Sequence, residues 1–213
     1  MSNQKLYRGM SKTYDLLDVI YFKNKDRNPR VELAKLVNQR DVDILDICTG
    51  TAANAIVVAA HHKNAKIVGI DISQEMLLIA SRKIHKNAIN NIELCRMDAS
   101  NTTFQDQTFD VILISLVLHE ISEELADHIM LEAKRVLKPD GKILIVEWEE
   151  PQRLLQKILF YLIRKTEPKG FEQFLKKDLK QYFDRFQLDI VEIIHSDYTK
   201  VFHIKKSLNK GNM

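Results

Sequence analysis

The stretch ILDICTGTAANA, Ile44 to Ala55, passes from an apolar run through a loop of small residues into an alanine-rich segment. Val42–Ile47 reads as a strand, because its apolar positions are β-branched or Leu and flank single acids. Ala53–Ala60 reads as a helix. Between them stand Cys48-Thr49-Gly50-Thr51-Ala52, where Gly50 permits a tight turn and close approach of a ligand to the backbone. A strand that opens through such a loop into a helix is the first half of a βαβ unit.

The same alternation continues outward. Lys66–Ile70 is a predicted strand and Ser73–Lys86 a helix, with Met76, Ala80 and Ile84 on one face and Ser73 as N-cap. Strands follow at Asn91–Arg96 and Phe109–Ser115, the latter nearly all apolar, as a central strand covered on both faces requires. Glu123–Leu137 has helical spacing, and Pro139-Asp140-Gly141 turns the chain into a strand over Lys142–Glu147. Strands alternating with helices imply a mainly parallel sheet. Past Pro151 the alternation stops. Residues 152–185 read as two helices around a break at Glu167-Pro168-Lys169-Gly170, and strands at Leu188–His195 and Tyr198–Lys205 close the sheet as an antiparallel pair. Upstream, residues 11–25 have helical spacing, and Pro29 suits the first position of a helix running towards Val37. The 213 residues are thus expected to form one domain: an N-terminal helical cap (1–40), a core (41–150), a helical lid or substrate region (151–186) and a closing strand pair (187–206).

Composition narrows the function classes. With 45% hydrophobic and 29% charged residues the chain is an ordinary globular one, and no apolar run approaches the roughly 18 residues of a membrane span. The polar start Met-Ser-Asn-Gln-Lys is unlike a secretory signal, so the expected location is the cytoplasm. Cys48 and Cys95 have no metal-ligand spacing and read as reduced structural thiols. A net charge of +3 is too small an excess to favour nucleic acid as a partner. Nothing in the patterning specifies an oligomeric state.

In an open parallel sheet ligands bind beyond the carboxyl ends of the strands. The residues there are Gly50 after the first strand, Asp71 after the second, Asp98 and Ala99 after the third, and Ser115 to Glu120 after the fourth. Asp71 can accept from two neighbouring ribose hydroxyls, and Asp98 from an exocyclic adenine amine. A dinucleotide site wants G-x-G-x-x-G, and only Gly50 is present, so nicotinamide chemistry is disfavoured.

Four segments, ILDICTGTAANA (44–55), VGIDISQEML (68–77), CRMDASNTTFQDQTFDVILISLVLHEI (95–121) and AKRVLKPDGKILIVEW (133–148), together with Tyr14-Asp15, resemble the class I S-adenosylmethionine-dependent methyltransferases. The likeness is strongest to the branch of ubiquinone/menaquinone C-methyltransferases and their small-molecule relatives, and it covers residues 10–148. It implies a Rossmann-like α/β fold, a mainly parallel seven-stranded sheet with helices on both faces and an antiparallel C-terminal strand pair. It also implies S-adenosylmethionine as cofactor and S-adenosylhomocysteine as product. On this resemblance Gly50 and Thr51 line the methionine portion, Asp46 orients that loop and faces the cofactor's ammonium, and Asp71 binds the ribose. Ile72 packs on adenine, Asp98 and Ala99 read its amine, Ser115 sits near the methionine end, and Tyr14 closes over it. Two departures stand out: Cys48 and Ala52 replace loop glycines, and Leu118-His119-Glu120 replaces an arginine-containing sequence of the quinone enzymes.

The expected activity is methyl transfer to a small, apolar or aromatic acceptor. The alternatives are a quinone or lipid methyltransferase at the membrane surface and a non-catalytic cofactor-binding protein of the same fold. The methyl group is already electrophilic, so a base is needed only if the acceptor must lose a proton. His119 is the candidate catalytic base, with Glu120 and Glu147 beside it, although Glu147-Trp148-Glu149-Glu150 reads more naturally as a solvated strand end. Residues Leu154 to Ile163, apolar with interspersed bases, suit a packed helix, an apolar acceptor pocket or a peripheral membrane contact. The fourth strand lacks the Asp/Asn-Pro-Pro-Tyr of nucleobase amine methylation, and neither cysteine is placed as a nucleophile for cytosine carbon.

Overall fold

The computed structural model describes residues 28–40, 42–168 and 170–207. Tyr14 and the helix expected over 11–25 lie outside them. The elements are α1 (Pro29–Leu36), β1 (Asp43–Ile47), α2 (Ala53–His61), β2 (Lys66–Asp71), α3 (Gln74–Lys86), β3 (Ile92–Arg96), β4 (Phe109–Ser115), α4 (Glu123–Val136), β5 (Leu137–Trp148), α5 (Leu154–Thr166), α6 (Phe171–Leu175), α7 (Leu179–Asp184), β6 (Leu188–His195) and β7 (Thr199–Lys206). They build a seven-stranded sheet in the order β3-β2-β1-β4-β5-β7-β6. The first five strands pair in parallel, and β7 joins antiparallel to both β5 and β6.

Side chains of successive strand residues point to opposite faces, and both faces are covered. Leu45, Ile47, Ile112, Ile114, Ile143 and Ile145 pack with Ala126, Ile129, Met130 and Ala133 of α4 and with Tyr182 and Phe183 of α7. Ile44, Val111, Leu113, Leu144 and Val146 pack on the other side with Leu33 of α1, Val58 of α2 and Ile84 of α3. Burial on two sides is why β1, β4 and β5 are nearly continuous apolar runs. The helix starts are chemically specified. Asn28 accepts from Arg30 N–H ahead of Pro29, Ser73 Oγ accepts from Met76 N–H, and Ser122 Oγ accepts from Leu125 N–H.

Two differences from the sequence expectation exceed a single residue. The fifth strand begins at Leu137 rather than Lys142: Leu137 pairs with Phe109, Lys142 pairs with Val111, and Pro139-Asp140-Gly141 bulges out between them. Gly141 lies so close to this crossing that an added Cβ would stand 2.6 Å from Leu137 and 2.9 Å from the Asp110 carbonyl. In the 151–186 region three helices form instead of two, because Asp178 caps Gln181 N–H and opens a fresh turn after α6. Among the described residues no helix is long and apolar enough to cross a membrane.

Candidate functional site

The parallel strands β1, β2 and β4 end side by side, and their loops share one rim. The loop after β1 coils through three left-handed residues, with φ of 53° at Cys48, 55° at Gly50 and 61° at Ala52. Only Gly50 adopts this conformation freely; the Cβ atoms of Cys48 and Ala52 cost about 1 kcal/mol each. Buried contacts hold the coil in place. Thr49 N–H donates to the Ile70 carbonyl at 2.9 Å, and Thr49 Oγ1 donates to Asp46 at 2.6 Å. Burial pushes the Asp46 carboxyl up to about 7, with the charge of Asp71 adding and the hydrogen bonds from Thr49 and Ala55 opposing. Burial likewise pushes the Cys48 thiol up to about 12, helped by Asp71 and Asp46, so it is no nucleophile near neutral pH.

Asp71, the last residue of β2, ties two loops together. It accepts from Gly50 N–H at 2.9 Å through one oxygen and from Ser73 N–H at 2.9 Å through the other. A carboxylate oxygen holds more than one acceptor site, so both remain able to accept from a ligand. The Ile72 side chain beside it is 66% exposed, an apolar surface offered to whatever enters. At the end of β4, Ser115 Oγ is buried on the cleft wall with no hydrogen-bond partner, and Leu116 is left-handed with φ of 54°.

The turn beyond β4 is clamped from β5. Glu147 is fully buried and accepts from Val117 N–H at 3.1 Å, Leu118 N–H at 2.8 Å and His119 Nδ1 at 2.7 Å. The reading of Glu147-Trp148 as a solvated strand end is therefore corrected: Glu147 is 0% and Trp148 3% exposed, because β7 and the lid cover them. His119 Nε2 lies 3.3 Å from Glu167, on the turn after α5, and 3.9 Å from Glu120. Burial alone would lower the His119 pKa, but the carboxylates of Glu147 and Glu167 overcome it and hold it at about 10. Near neutral pH the imidazole already carries both protons and cannot accept another, which removes the basis for reading it as a general base.

These parts enclose a cleft of about 300 Å³. Gly50, Thr51, Asp71, Ile72, Ser115 and His119 all line it, so six residues read from strand ends converge. Thr51 Oγ1 is already engaged by Lys83 Nζ at 3.0 Å. Asp46 lies beneath the loop, off the lining, and acts on the cleft through Thr49 rather than by facing it. Asp98 and Ala99 are also off the lining: Asp98 is exposed and accepts from Ser100 N–H and Oγ, while Ala99 is buried. Arg30 and Glu167 line the cleft without having been singled out as binding residues, and Trp148 lines it as well. An acid inside an otherwise apolar strand, Glu147, was the one available sign of the clamp. Glu167 carries no local sign, since only the fold of the lid brings it to His119.

Over residues 2–192 the sequence matches the model of the ubiE/COQ5 methyltransferase family. It is 27% identical over 179 residues to a demethylmenaquinone methyltransferase from Bacillus cereus, covering 83% of this chain and 75% of that one. A demethylmenaquinone methyltransferase from Bacillus pumilus is 29% identical over 179 residues, with 83% and 76% covered. In fold, the chain is similar to a SAM-dependent methyltransferase from Aquifex aeolicus, with a TM-score of 0.72 at 20% identity, covering 93% of this chain and 97% of that one.

Proposed function

Because this chain belongs to the ubiE/COQ5 methyltransferase family and is an S-adenosylmethionine-dependent methyltransferase, we propose that its cleft holds that cofactor and delivers the methyl group to a small apolar aromatic acceptor, a quinol foremost. The observation that carries this reading is the convergence of Gly50, Asp71, Ile72 and Ser115 on one cleft at the carboxyl ends of β1, β2 and β4. The chemistry of these groups fits the cofactor. Asp71, oriented by two backbone amides, accepts from the ribose hydroxyls, and the exposed Ile72 packs on adenine. The orphaned Ser115 Oγ meets the polar amino-acid tail, and the coiled loop around Gly50 lies along the methionine portion. The adenine amine is assigned to Asp98, exposed on the loop after β3 beside buried Ala99, and Asp46 acts by fixing Thr49.

When bound, the cofactor supplies an electrophilic methyl group on a sulfonium. The chain's contribution is placement, for which intramolecular models give about 7–11 kcal/mol. Leu116, Val117, Val146 and Trp148 make the acceptor end apolar and exclude water there. His119, held as imidazolium, fixes the turn after β4 and the lid through Glu147 and Glu167. Glu120 and Glu167 give the same wall negative character, which suits an acceptor that must part with a proton.

A second reading concerns where the acceptor resides. Leu154, Leu155, Ile158, Tyr161 and Leu162 form an exposed apolar face on α5, next to the cleft, and this favours an acceptor that sits in a membrane. The relatives' names point the same way, since each is called a demethylmenaquinone methyltransferase. The test is turnover: the full chain with S-adenosylmethionine and, without oxygen, short-chain naphthoquinols and benzoquinols, beside a panel of thiols, amines and phenols. Singly methylated quinol is the expected product by mass spectrometry. Methylation confined to a thiol or amine would overturn the acceptor class.

A further inference from the structure

We infer that His119, Glu120 and Glu167 form a divalent-cation site at the acceptor end of the cleft, with Glu147 as the outer partner that sets the imidazole. One donor atom from each of the three residues lies within 4.8 Å of the others. Zinc ligands at about 2.1 Å in a tetrahedron stand roughly 3.4 Å apart. The 3.3 Å between His119 Nε2 and Glu167 already matches, and Glu120 stands at 3.9 Å.

The histidine is prepared for this role. Its side chain is 1% exposed, and its buried Nε2 makes no hydrogen bond of good geometry although two carboxylates face it. Nδ1 donates to Glu147 at 2.7 Å, so a bound ion would take the place of the Nε2 proton while Nδ1 keeps its own. Metal-bound histidines characteristically donate their second ring N–H to a carboxylate in this way. Glu147 is itself locked by the amides of Val117 and Leu118.

One nitrogen and two carboxylates suit a borderline first-row ion such as Zn²⁺ more than Mg²⁺ or Ca²⁺. All three ligands line the cleft, so the remaining coordination position opens on the acceptor and would take its hydroxyl or carbonyl oxygen. Glu167 comes from the turn after α5, so the ion would also pin the lid to the turn after β4.

Untagged, chelator-treated protein titrated with Zn²⁺ and with Co²⁺ tests the site. One ion per chain at micromolar affinity is expected, with Co²⁺ developing visible absorption of an N/O-ligated ion. Glu167→Gln and Glu120→Gln are each expected to weaken binding at least about tenfold, and Glu147→Gln by about 10–100-fold. Thermal melts and S-adenosylhomocysteine titration of each variant separate loss of the ion from loss of the fold. Glu167→Gln, on the lid and outside the sheet, keeps the test decisive if Glu147→Gln loosens its loop. No saturable binding by wild type, or undiminished binding by Glu167→Gln, would overturn the site and leave the cofactor reading untouched.

Discussion

At the scale of the residue, two aspartates on neighbouring strands have opposite environments and hence opposite uses. Asp71 stands at the cleft with both oxygens turned to backbone amides, while Asp46 is sealed beneath the loop. If Asp71 receives the ribose, Asp71→Asn exchanges a charge-assisted acceptor for a weaker one and turns an N–H pair towards a donor. S-adenosylhomocysteine binding, read by calorimetry, should weaken by at least about tenfold; affinity unchanged by the substitution would remove Asp71 from the ribose. Asp46 makes a pH prediction. Its folded pKa is raised by burial from 3.8 to about 7, so between those values the folded chain holds the proton more tightly than the unfolded one. Its contribution to stability is greatest below the ordinary carboxylate pKa and is lost as pH rises towards 7, by on the order of a few kcal/mol. Asp46→Asn cannot ionise and should flatten this decline in denaturant unfolding measured across that range. A wild-type curve that rises with pH relative to the variant would contradict the assignment.

At the scale of the element, helix ends show how local conformation is held against residue preference. Helix α3 finishes with Asn87 and then Ala88 at φ of 51°, and Ile89 N–H reaches back to the Ile84 carbonyl. This turn favours glycine at its left-handed position, and Ala88 is exposed, so its methyl gains nothing by burial. Ala88→Gly should stabilise the protein by about 0.5–1 kcal/mol, visible as a higher Tm. The strands and helices of the core were legible because their apolar spacing is dictated by burial on two faces. Legibility of Gly50, Asp71 and Ser115 followed from theirs, since each sits at a strand end. Cys48 and Ala52 were recognisable in glycine places only through the family resemblance, and the bulge at Pro139 to Gly141 and the division of the lid into three helices were not legible. In each of these, contacts from distant chain segments override the local preference of the residue. The Glu147–His119–Glu167 chain is hidden for the same reason, being assembled from β5, the turn after β4 and the lid.

At the scale of the whole molecule, the apolar surface is unevenly distributed. Helix α5 buries Phe160 and Ile163 against Trp148, Phe171 and Tyr198, yet Leu154 and Leu155 on its other side are 76% and 82% exposed. A helix kept only for packing has no reason to carry Ile158, Tyr161 and Leu162 outward as well. Exposed Arg153, Lys157 and Lys165 accompany this face, the combination that lies on an anionic lipid surface. Glu167, the C-cap of the same helix, lines the cleft, so the exposed face and the site share one element. The full chain should co-sediment with vesicles of mixed phosphatidylglycerol and phosphatidylcholine, less so as salt is raised. Replacing Leu155 and Ile158 by lysine removes two side chains that would each contribute about 1.5–3 kcal/mol on burial, so partitioning should fall by well over about tenfold. Binding of S-adenosylhomocysteine should be unchanged in that double variant, because neither side chain lines the cleft. Wild-type protein that stays in the supernatant at low salt, or a double variant that sediments equally, would detach α5 from the membrane and leave its outer face to another partner.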